Sequence, residues 1–229
     1  MQILHSGRHI RDFGVVPASI VFSTAVFLFL IIAAAVALSS AVTAIDGSVA
    51  TWLHARATPY VTGVMVAISF LGAPTTLTIV AVAGSLLLSY RRRYAEAAML
   101  SAVVLGGNSL NFCLKHLIQR GRPVFDDPLF SLPTYSFPSG HAMASTVFYG
   151  LLAIYVSVSA RQRYAAHVAI GAAVLMVALV SLSRVYLGLH YPSDVMGAIT
   201  EGIAWLALSL IVLRHLRRRE AGLDVNAGS

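Results

Sequence analysis

The chain has 229 residues, of which 58% are hydrophobic and only 11% are charged. This composition excludes an ordinary soluble domain, in which about 25% of residues are charged. The sequence also contains charge-free runs that are long enough to cross the hydrocarbon core of a bilayer. The net charge of +7 does not indicate a nucleic-acid partner, because the basic residues stand at the ends of the apolar runs, where they orient a membrane protein.

The first apolar run predicts an uncleaved transmembrane helix at 17–42, since the run is longer than the core of a signal peptide. The next charge-free stretch, 57–90, has 34 residues, which is too many for one helix and few for two. Gly72-Ala73-Pro74 interrupts it, because proline lacks an amide donor and disfavours helix at the preceding residue. We therefore expect a short interfacial or re-entrant helix at 59–71 and a modest span at 75–90.

Four further runs predict spans at 95–117, 140–159, 164–186 and 195–213. The expected fold is an all-α polytopic membrane bundle with six transmembrane helices and a short interfacial helix after the first span. We expect one membrane-embedded domain over residues 1–229.

The basic residues orient this bundle. With both termini in the cytoplasm, eleven Lys and Arg residues fall in cytoplasmic segments and five fall outside, as the positive-inside rule expects. Four of those five lie within 115–122 and at Arg184. This placement indicates that they serve something other than topology.

The first cluster of polar residues is KHLIQRGRP, residues 115–123. Lys115 and Arg122 flank the expected end of the third span near Gly121. Two cations that meet in a medium of low dielectric repel each other unless an anion lies between them. Snorkelling of basic side chains at a helix end is the structural alternative.

The second cluster is SFPSGHAMAST, residues 136–146. Ser139 is the expected N-cap of the fourth span, so the amides of Gly140 and His141 would form an anion site at the positive end of the helix dipole. A capped helix that begins with an interfacial histidine is the alternative, and it leaves only His141 unexplained.

The third cluster is SRVYLGLHYPSD, residues 183–194, where Arg184 ends the fifth span and Asp194 begins the sixth. His190 precedes Asp194 by four residues, so the carboxylate can accept a hydrogen bond from the imidazole and leave its other nitrogen free to attack or to accept a proton. A salt bridge between Arg184 and Asp194 is the alternative. Because the topology places all three clusters at one surface, we expect a phosphoryl-transfer site there.

In order and spacing the three clusters resemble the signature of the type 2 phosphatidic acid phosphatase superfamily. That group includes membrane lipid phosphatases, polyprenyl diphosphate phosphatases, glucose-6-phosphatase and, more distantly, the vanadium haloperoxidases. The matching blocks, which cover 115–194, are Lys115 with Arg122-Pro123, then Pro138-Ser139-Gly140-His141, then Ser183-Arg184 with His190 and Asp194.

The resemblance implies a role for each matching residue. His190 would attack phosphorus and become a phosphohistidine, Asp194 would orient it, and His141 would protonate the leaving oxygen. The implied phosphate-binding groups are Lys115, Arg122, Ser139, Gly140 and Arg184. Fixed cations can stabilise the charge of phosphoryl transfer, so we expect no metal and no cofactor.

Three other ionisable residues lie near these blocks. Glu201 follows Asp194 by seven residues, on the same helix face and about 10 Å deeper. An intramembrane acid is a functional candidate by default, but we favour a buried, hydrogen-bonded structural role. His116 and Arg120 lie beside the first cluster but off its pattern, so we rank them as secondary.

A site at the outer surface, reached between apolar helices, suits a lipid with a phosphate head. We expect a metal-independent phosphatase of the cell membrane with an extracytoplasmic active site. The resemblance to family members with six spans implies undecaprenyl diphosphate as the favoured substrate, with phosphatidylglycerophosphate and phosphatidate as close alternatives. A lipid phosphotransferase would have a nearly identical site and stays open. A lipid or anion transporter is disfavoured, because it would need charges at mid-membrane depth and internal repeats, whereas the charges here lie at one surface and the sequence shows no repeat. Haloperoxidase activity is also disfavoured, because the relatives that have it are soluble.

Overall fold

The computed structural model describes residues 15–130, 132–160 and 162–227, with side chains described between 17 and 216 in those ranges. Throughout this part of the chain the only regular secondary structure is α-helix. The eight helices are α1 Val15–Leu38, α2 Ser40–His54, α3 Pro59–Leu71, α4 Pro74–Tyr90, α5 Tyr94–Ile118, α6 Gly140–Ser159, α7 Arg163–Tyr186 and α8 Pro192–Ala227.

Six stretches of the described helices are long and apolar enough to cross a bilayer. They are Pro17–Leu38, Pro59–Tyr90, Tyr94–Ile118, Gly140–Ser159, Arg163–Tyr186 and Pro192–Leu216. The predicted all-α bundle with six membrane spans is therefore confirmed. The last four predicted spans agree with α5 to α8, except that α8 continues well beyond its apolar part.

The prediction of one helix over 17–42 was wrong at its C-terminal end. The helix stops at Leu38, and Ser39 has extended backbone and caps a new helix by accepting a hydrogen bond from the amide of Val42. Serines occur inside many transmembrane helices, so the pair Ser39-Ser40 did not reveal this break. The helix that follows, α2, was missed.

Helices α3 and α4 agree closely with the predicted pieces 59–71 and 75–90. Thr58 caps α3 by accepting from the amide of Val61, and its own amide donates to the hydroxyl of Tyr186 near the end of α7 (3.1 Å). At the other end of α3, Gly72 contacts Val180. Helix α3 therefore packs against the C-terminal part of α7.

The core lies where α6 packs against α7 and α8. Buried apolar side chains from these helices, with Val103 of α5, form it: Ala142, Met143, Val147, Leu151, Val185, Val195, Ala198 and Leu206. Helix α1 packs along α8, and α4 packs along α5. The C-terminal ends of α5 and α7 and the N-terminal ends of α6 and α8 lie at the same end of the bundle, which we call the site end.

Gly72 provides a test of the α3–α7 contact. A Cβ at this position would lie 2.3 Å from Val180 Cγ1 and 2.5 Å from Ser145 Oγ. We expect Gly72→Ala to reduce the free energy of unfolding by about 1–3 kcal/mol, the usual cost of overpacking, measured as a lower midpoint of thermal unfolding in detergent. Gly63→Ala in α3 is the control, because a Cβ there meets nothing within 4 Å. Equal losses in the two variants would contradict the close contact.

Candidate active site

The residues of the three sequence clusters meet at the site end. Arg122 Nη1, from the loop after α5, lies 3.3 Å from His190 Nε2 in the turn between α7 and α8. His141, at the start of α6, lies within electrostatic range of Lys115, Arg122, Arg184 and His190. Segments that are separated by up to about 70 residues in sequence therefore form one group of basic side chains.

Lys115 and Arg122 reach this group from the end of α5. The helix ends at Ile118, and Gln119 adopts left-handed backbone (φ 53°) that turns the chain back over the site end. Lys115 Nζ donates to the carbonyl oxygen of Tyr135 (2.9 Å), and Arg122 Nε donates to that of Thr134 (2.7 Å). Neutral carbonyl oxygens are weaker partners for these cations than an anion would be.

The pKa of Arg122 is lower than its ordinary value, because burial outweighs the opposing effect of the Asp194 carboxylate. The same partial desolvation strengthens the attraction of this guanidinium for an anion. Arg122 therefore has the charge and the position to contact a phosphoryl group next to His190.

The start of α6 contributes the groups of the second cluster. Ser139 occupies the N-cap position as predicted, but its hydroxyl makes no capping bond and has no hydrogen-bond partner among the described residues. The Ser139 amide donates to the carbonyl oxygen of Asp194 (3.1 Å). Gly140 lies close to the end of α5, since a Cβ there would lie 3.3 Å from Asn111 Oδ1, a tight contact. The free hydroxyl and the unpaired amides of a first helical turn are suited to an anion.

His190 is oriented from both sides of its ring. Its Nδ1 lies 3.5 Å from Asp194 Oδ2, at the outer limit of a hydrogen bond, and its Nε2 faces Arg122. The amides of Leu189 and His190 donate to the carbonyl oxygen of Arg184 (3.1 and 3.3 Å), and Gly188 gives the turn its positive φ of 71°. The ring therefore presents Nε2 to the group of cations.

Burial lowers the pKa of His190 to about 3, against the raising effect of Asp194. An imidazole with this pKa is neutral over the physiological pH range. A neutral imidazole has the lone pair that nucleophilic attack requires.

Arg184 is buried, with 4% of its surface exposed, and its Nη1 donates to Ser69 Oγ of α3 (2.6 Å). The alternative role, a salt bridge to Asp194, is not observed: in the described ranges Arg184 has no carboxylate partner. Helix α3, which carries no charge, thus contributes to the site by holding a cation.

Arg120, which the sequence analysis ranks as secondary, contacts two carboxylates and an aromatic ring. Its Nη1 lies 2.6 Å from Asp194 Oδ1, its Nη2 lies 2.7 Å from Asp46 Oδ2, and its guanidinium stacks over the ring of Tyr191 at 4.4 Å. Burial alone would lower the pKa of Arg120, but the two carboxylates raise it above its ordinary value. Arg120 links α2 to the start of α8.

Asp46 was missed in the sequence. It is 3% exposed and also accepts from the amide of Ser193 (3.1 Å) and from the Ser193 hydroxyl. Its only signal was that it is the single Asp, Glu, Lys or Arg between Asp12 and Arg56. A buried lone acid in such a run needs a cationic partner.

Asp194 is fully buried and has several partners besides Arg120. Its Oδ2 accepts from the hydroxyl of Ser136 and from the amide of Tyr191 (2.8 Å). These bonds fix the carboxylate beside His190 Nδ1. The contribution of Ser136 could not be read from the sequence, where this residue only precedes the second block.

Glu201 lies at the base of the site, within electrostatic range of Lys115, whereas His116 lies apart from the group around His190. Glu201 is 3% exposed, and its Oε2 accepts from Asn111 Nδ2 (2.9 Å), which favours the structural role. His116 is exposed, with Nδ1 2.8 Å from the carbonyl oxygen of Phe112. Among the residues that the structure describes, no three His, Cys, Asp or Glu side chains are grouped so that they could hold a metal ion.

Comparisons with known proteins identify relatives of this chain. The model of the PAP2 superfamily matches residues 93–218. Phosphatidylglycerophosphatase B of Bacillus subtilis (strain 168) is 34% identical over 181 residues, which are 77% of this chain and 87% of that protein. The crystal structure described as the first transmembrane PAP2 type phosphatidylglycerolphosphate phosphatase from Bacillus subtilis superposes with a TM-score of 0.72 at 31% identity, over 82% of this chain and 93% of that one.

The bond between Asn111 and Glu201 provides a test at the base of the site. We expect Asn111→Ala to lower the free energy of unfolding by about 1–3 kcal/mol, because it leaves a buried carboxyl group without its donor. The measurement is the thermal unfolding midpoint in detergent. Asn108→Ala in the same helix is the control. It removes a half-buried hydrogen bond from Asn108 Nδ2 to Thr78 Oγ1 (2.9 Å) and should lower the free energy of unfolding by less. The reverse order would contradict the structural role of Glu201.

Proposed function

Because the chain belongs to the PAP2 superfamily and is a membrane phosphatase, we propose that it hydrolyses a lipid phosphate through a phosphohistidine at His190. The observation that carries this proposal is the orientation of the His190 ring, with Nδ1 toward Asp194 and Nε2 3.3 Å from Arg122 Nη1. A nucleophile needs its free nitrogen on the side where the phosphoryl group is bound.

In the first step His190 Nε2 forms a bond to phosphorus while the bond from phosphorus to the lipid oxygen breaks. His141 gives its proton to that oxygen, so the lipid leaves as an alcohol for a monoester or as a lipid monophosphate for a diphosphate. The imidazole becomes positively charged, and the negative charge of Asp194 stabilises it.

In the second step water attacks phosphorus, His141 takes a proton from that water, and the bond from phosphorus to Nε2 breaks. Inorganic phosphate leaves and His190 is neutral again. In both steps the three cations compensate the charge on the phosphoryl oxygens, with the Ser139 hydroxyl and the Gly140 amide as further donors. The cations are Lys115, Arg122 and Arg184.

For the substrate we propose phosphatidylglycerophosphate in preference to undecaprenyl diphosphate, the lipid favoured by the sequence. Both similar proteins have names that refer to phosphatidylglycerophosphate, and each is covered over most of its length. The site itself is suited to either lipid, because it contacts the phosphoryl group and both lipids have a long hydrocarbon part in the bilayer.

The proposal is tested by phosphate release from detergent-purified protein in EDTA. We expect turnover of phosphatidylglycerophosphate faster than that of phosphatidate or undecaprenyl diphosphate, inhibition by vanadate, and no need for an added acceptor. Faster turnover of undecaprenyl diphosphate would overturn the substrate assignment alone, and release only with an acceptor would indicate a phosphotransferase. Loss of activity in EDTA that Mg²⁺ restores would contradict the mechanism without metal.

In the same assay we expect His190→Ala to lose about a thousandfold or more of kcat, since no other group can form the covalent intermediate. Protein quenched in an alkaline denaturant, in which phosphohistidine is stable, should hold labelled phosphate in the native chain and none in this variant. His116→Ala is the matched control, because His116 is exposed and bonds to the backbone of its own helix. We expect its kcat to stay within about twofold. Full activity of His190→Ala would refute the proposed nucleophile.

We also propose that the site end faces away from the cytoplasm. Arg91, Arg92 and Arg93 lie in the turn between α4 and α5, at the opposite end of the bundle, as the positive-inside rule expects for the cytoplasmic side. Several other basic residues that support this orientation, among them Arg8, Arg11 and Arg161, lie outside the described residues.

A membrane-impermeant maleimide applied to intact cells tests this orientation. In a Cys113→Ala background, we expect Asp127→Cys, in the exposed loop after α5, to be labelled without disruption of the cells. Arg92→Cys should be labelled only after disruption. The opposite pattern would place the site in the cytoplasm.

A further inference from the structure

We propose that Asp46 and Arg120 are positioning residues: Arg120 holds Asp194 in place and Asp46 compensates the charge of Arg120, so that one net negative charge remains behind His190. The inference rests on the proposed role of His190 as the nucleophile. It concerns residues that lie behind the reacting groups, one of them on a helix before the region that the family model matches.

The three charged groups form a continuous chain of ion pairs. Asp46 Oδ2 accepts from Arg120 Nη2 at 2.7 Å, and Arg120 Nη1 donates to Asp194 Oδ1 at 2.6 Å. Ser193 Oγ lies 2.7 Å from Arg120 Nη1 and also donates to Asp46. Asp194 Oδ2 points toward His190 Nδ1 at 3.5 Å. The row of ion pairs thus leads from Asp46 through Arg120 to Asp194 and ends at the His190 ring, which becomes positive in the proposed reaction.

The charges of these three ion-paired groups explain why the second carboxylate, that of Asp46, is present. Arg120 with Asp194 alone would be a neutral pair, and a neutral pair stabilises an imidazolium much less than a carboxylate does. Asp46 compensates Arg120, so the three groups together carry one net negative charge. Arg120 can then fix Asp194 in position without cancelling its effect on His190.

Burial makes these charges effective. Asp46 and Asp194 are 3% and 0% exposed, and water therefore screens their interactions little. A surface ion pair of the same length would have a much smaller effect. The other charged or titratable groups that face His190 are Arg122 from the loop, Arg184 from α7 and His141 from α6. Arg122 and Arg184 disfavour a positive ring, so the negative charge must come from the Asp194 side.

Burial, with the charges of Arg122 and Arg184, lowers the pKa of His190 to about 3 against the raising effect of Asp194. In a complex with an anionic substrate this pKa rises, because the phosphate favours the protonated ring. A protonated ring cannot attack, so the activity falls on the acid side of the profile of kcat against pH. The midpoint of that acid limb reports the charge around His190 and does not depend on the fraction of active protein.

The experiment compares kcat profiles of Asp46→Asn and Arg120→Gln in detergent with phosphatidylglycerophosphate. In Asp46→Asn the three groups have no net charge, so we expect the acid limb to move to lower pH by about half a unit and kcat on the plateau to fall about tenfold. In Arg120→Gln the net charge is −2, and the limb should move to higher pH. The double variant restores −1 and should return the limb close to that of the native protein.

Glu96→Gln is the control, because it removes the Arg93–Glu96 ion pair at the opposite end of the bundle. It should leave the limb in place. If Arg120→Gln does not fold, Asp46→Asn and the double variant decide the question, since the double variant leaves no unpaired cation. An unmoved limb in Asp46→Asn, or a shift to higher pH, overturns the inference. Activity of His190→Ala would instead refute the nucleophile, so the two failures can be told apart.

Discussion

The structure of the site depends on the burial of one carboxylate, Asp194, beside His190. A buried carboxylate is costly unless ion pairs and hydrogen bonds compensate the loss of water. Its partners come from Arg120 and Ser136 in the segment between α5 and α6, and from the amide of Tyr191 in the turn before α8. Satisfying this one group therefore joins the elements that also carry the side chains that we propose bind the phosphate.

The charges around His190 are separated by sign. On one side, Lys115, Arg122 and Arg184 have neutral oxygen partners from the backbone or from Ser69. On the other side, the carboxylates of Asp194 and Asp46 pair with Arg120. This polarity suits a reaction in which an anion arrives on one face of the ring and the ring itself becomes positive. It also explains why Arg184 pairs with Ser69 and not with Asp194, since an ion pair across the ring would cancel both fields.

The sequence predicts the spans well because the length and apolarity of a segment decide whether it crosses the membrane. It predicts the three clusters because each is a short run of polar residues at the end of an apolar span. It does not predict pairs such as Asp46 with Arg120 or Ser69 with Arg184, which are 74 and 115 residues apart. Neither pair has a local pattern, since each depends on how α2 and α3 pack at the site end. The break at Ser39 was missed for a related reason, because one capping hydrogen bond separates two helices inside a continuous apolar run.

The difference between the two sets of partners has a consequence for turnover. Arg120 bonds to charged carboxylates, which it does not exchange readily, so the support behind His190 is permanent. Lys115 and Arg122 donate to neutral carbonyl oxygens. These hydrogen bonds satisfy the cations, but they are weaker than charge-assisted bonds to a phosphate, which can therefore replace them. Such partners lower the cost of releasing the product, because the cations return to existing acceptors when phosphate leaves. In the proposed mechanism, a site that binds its substrate with three cations can therefore still release inorganic phosphate.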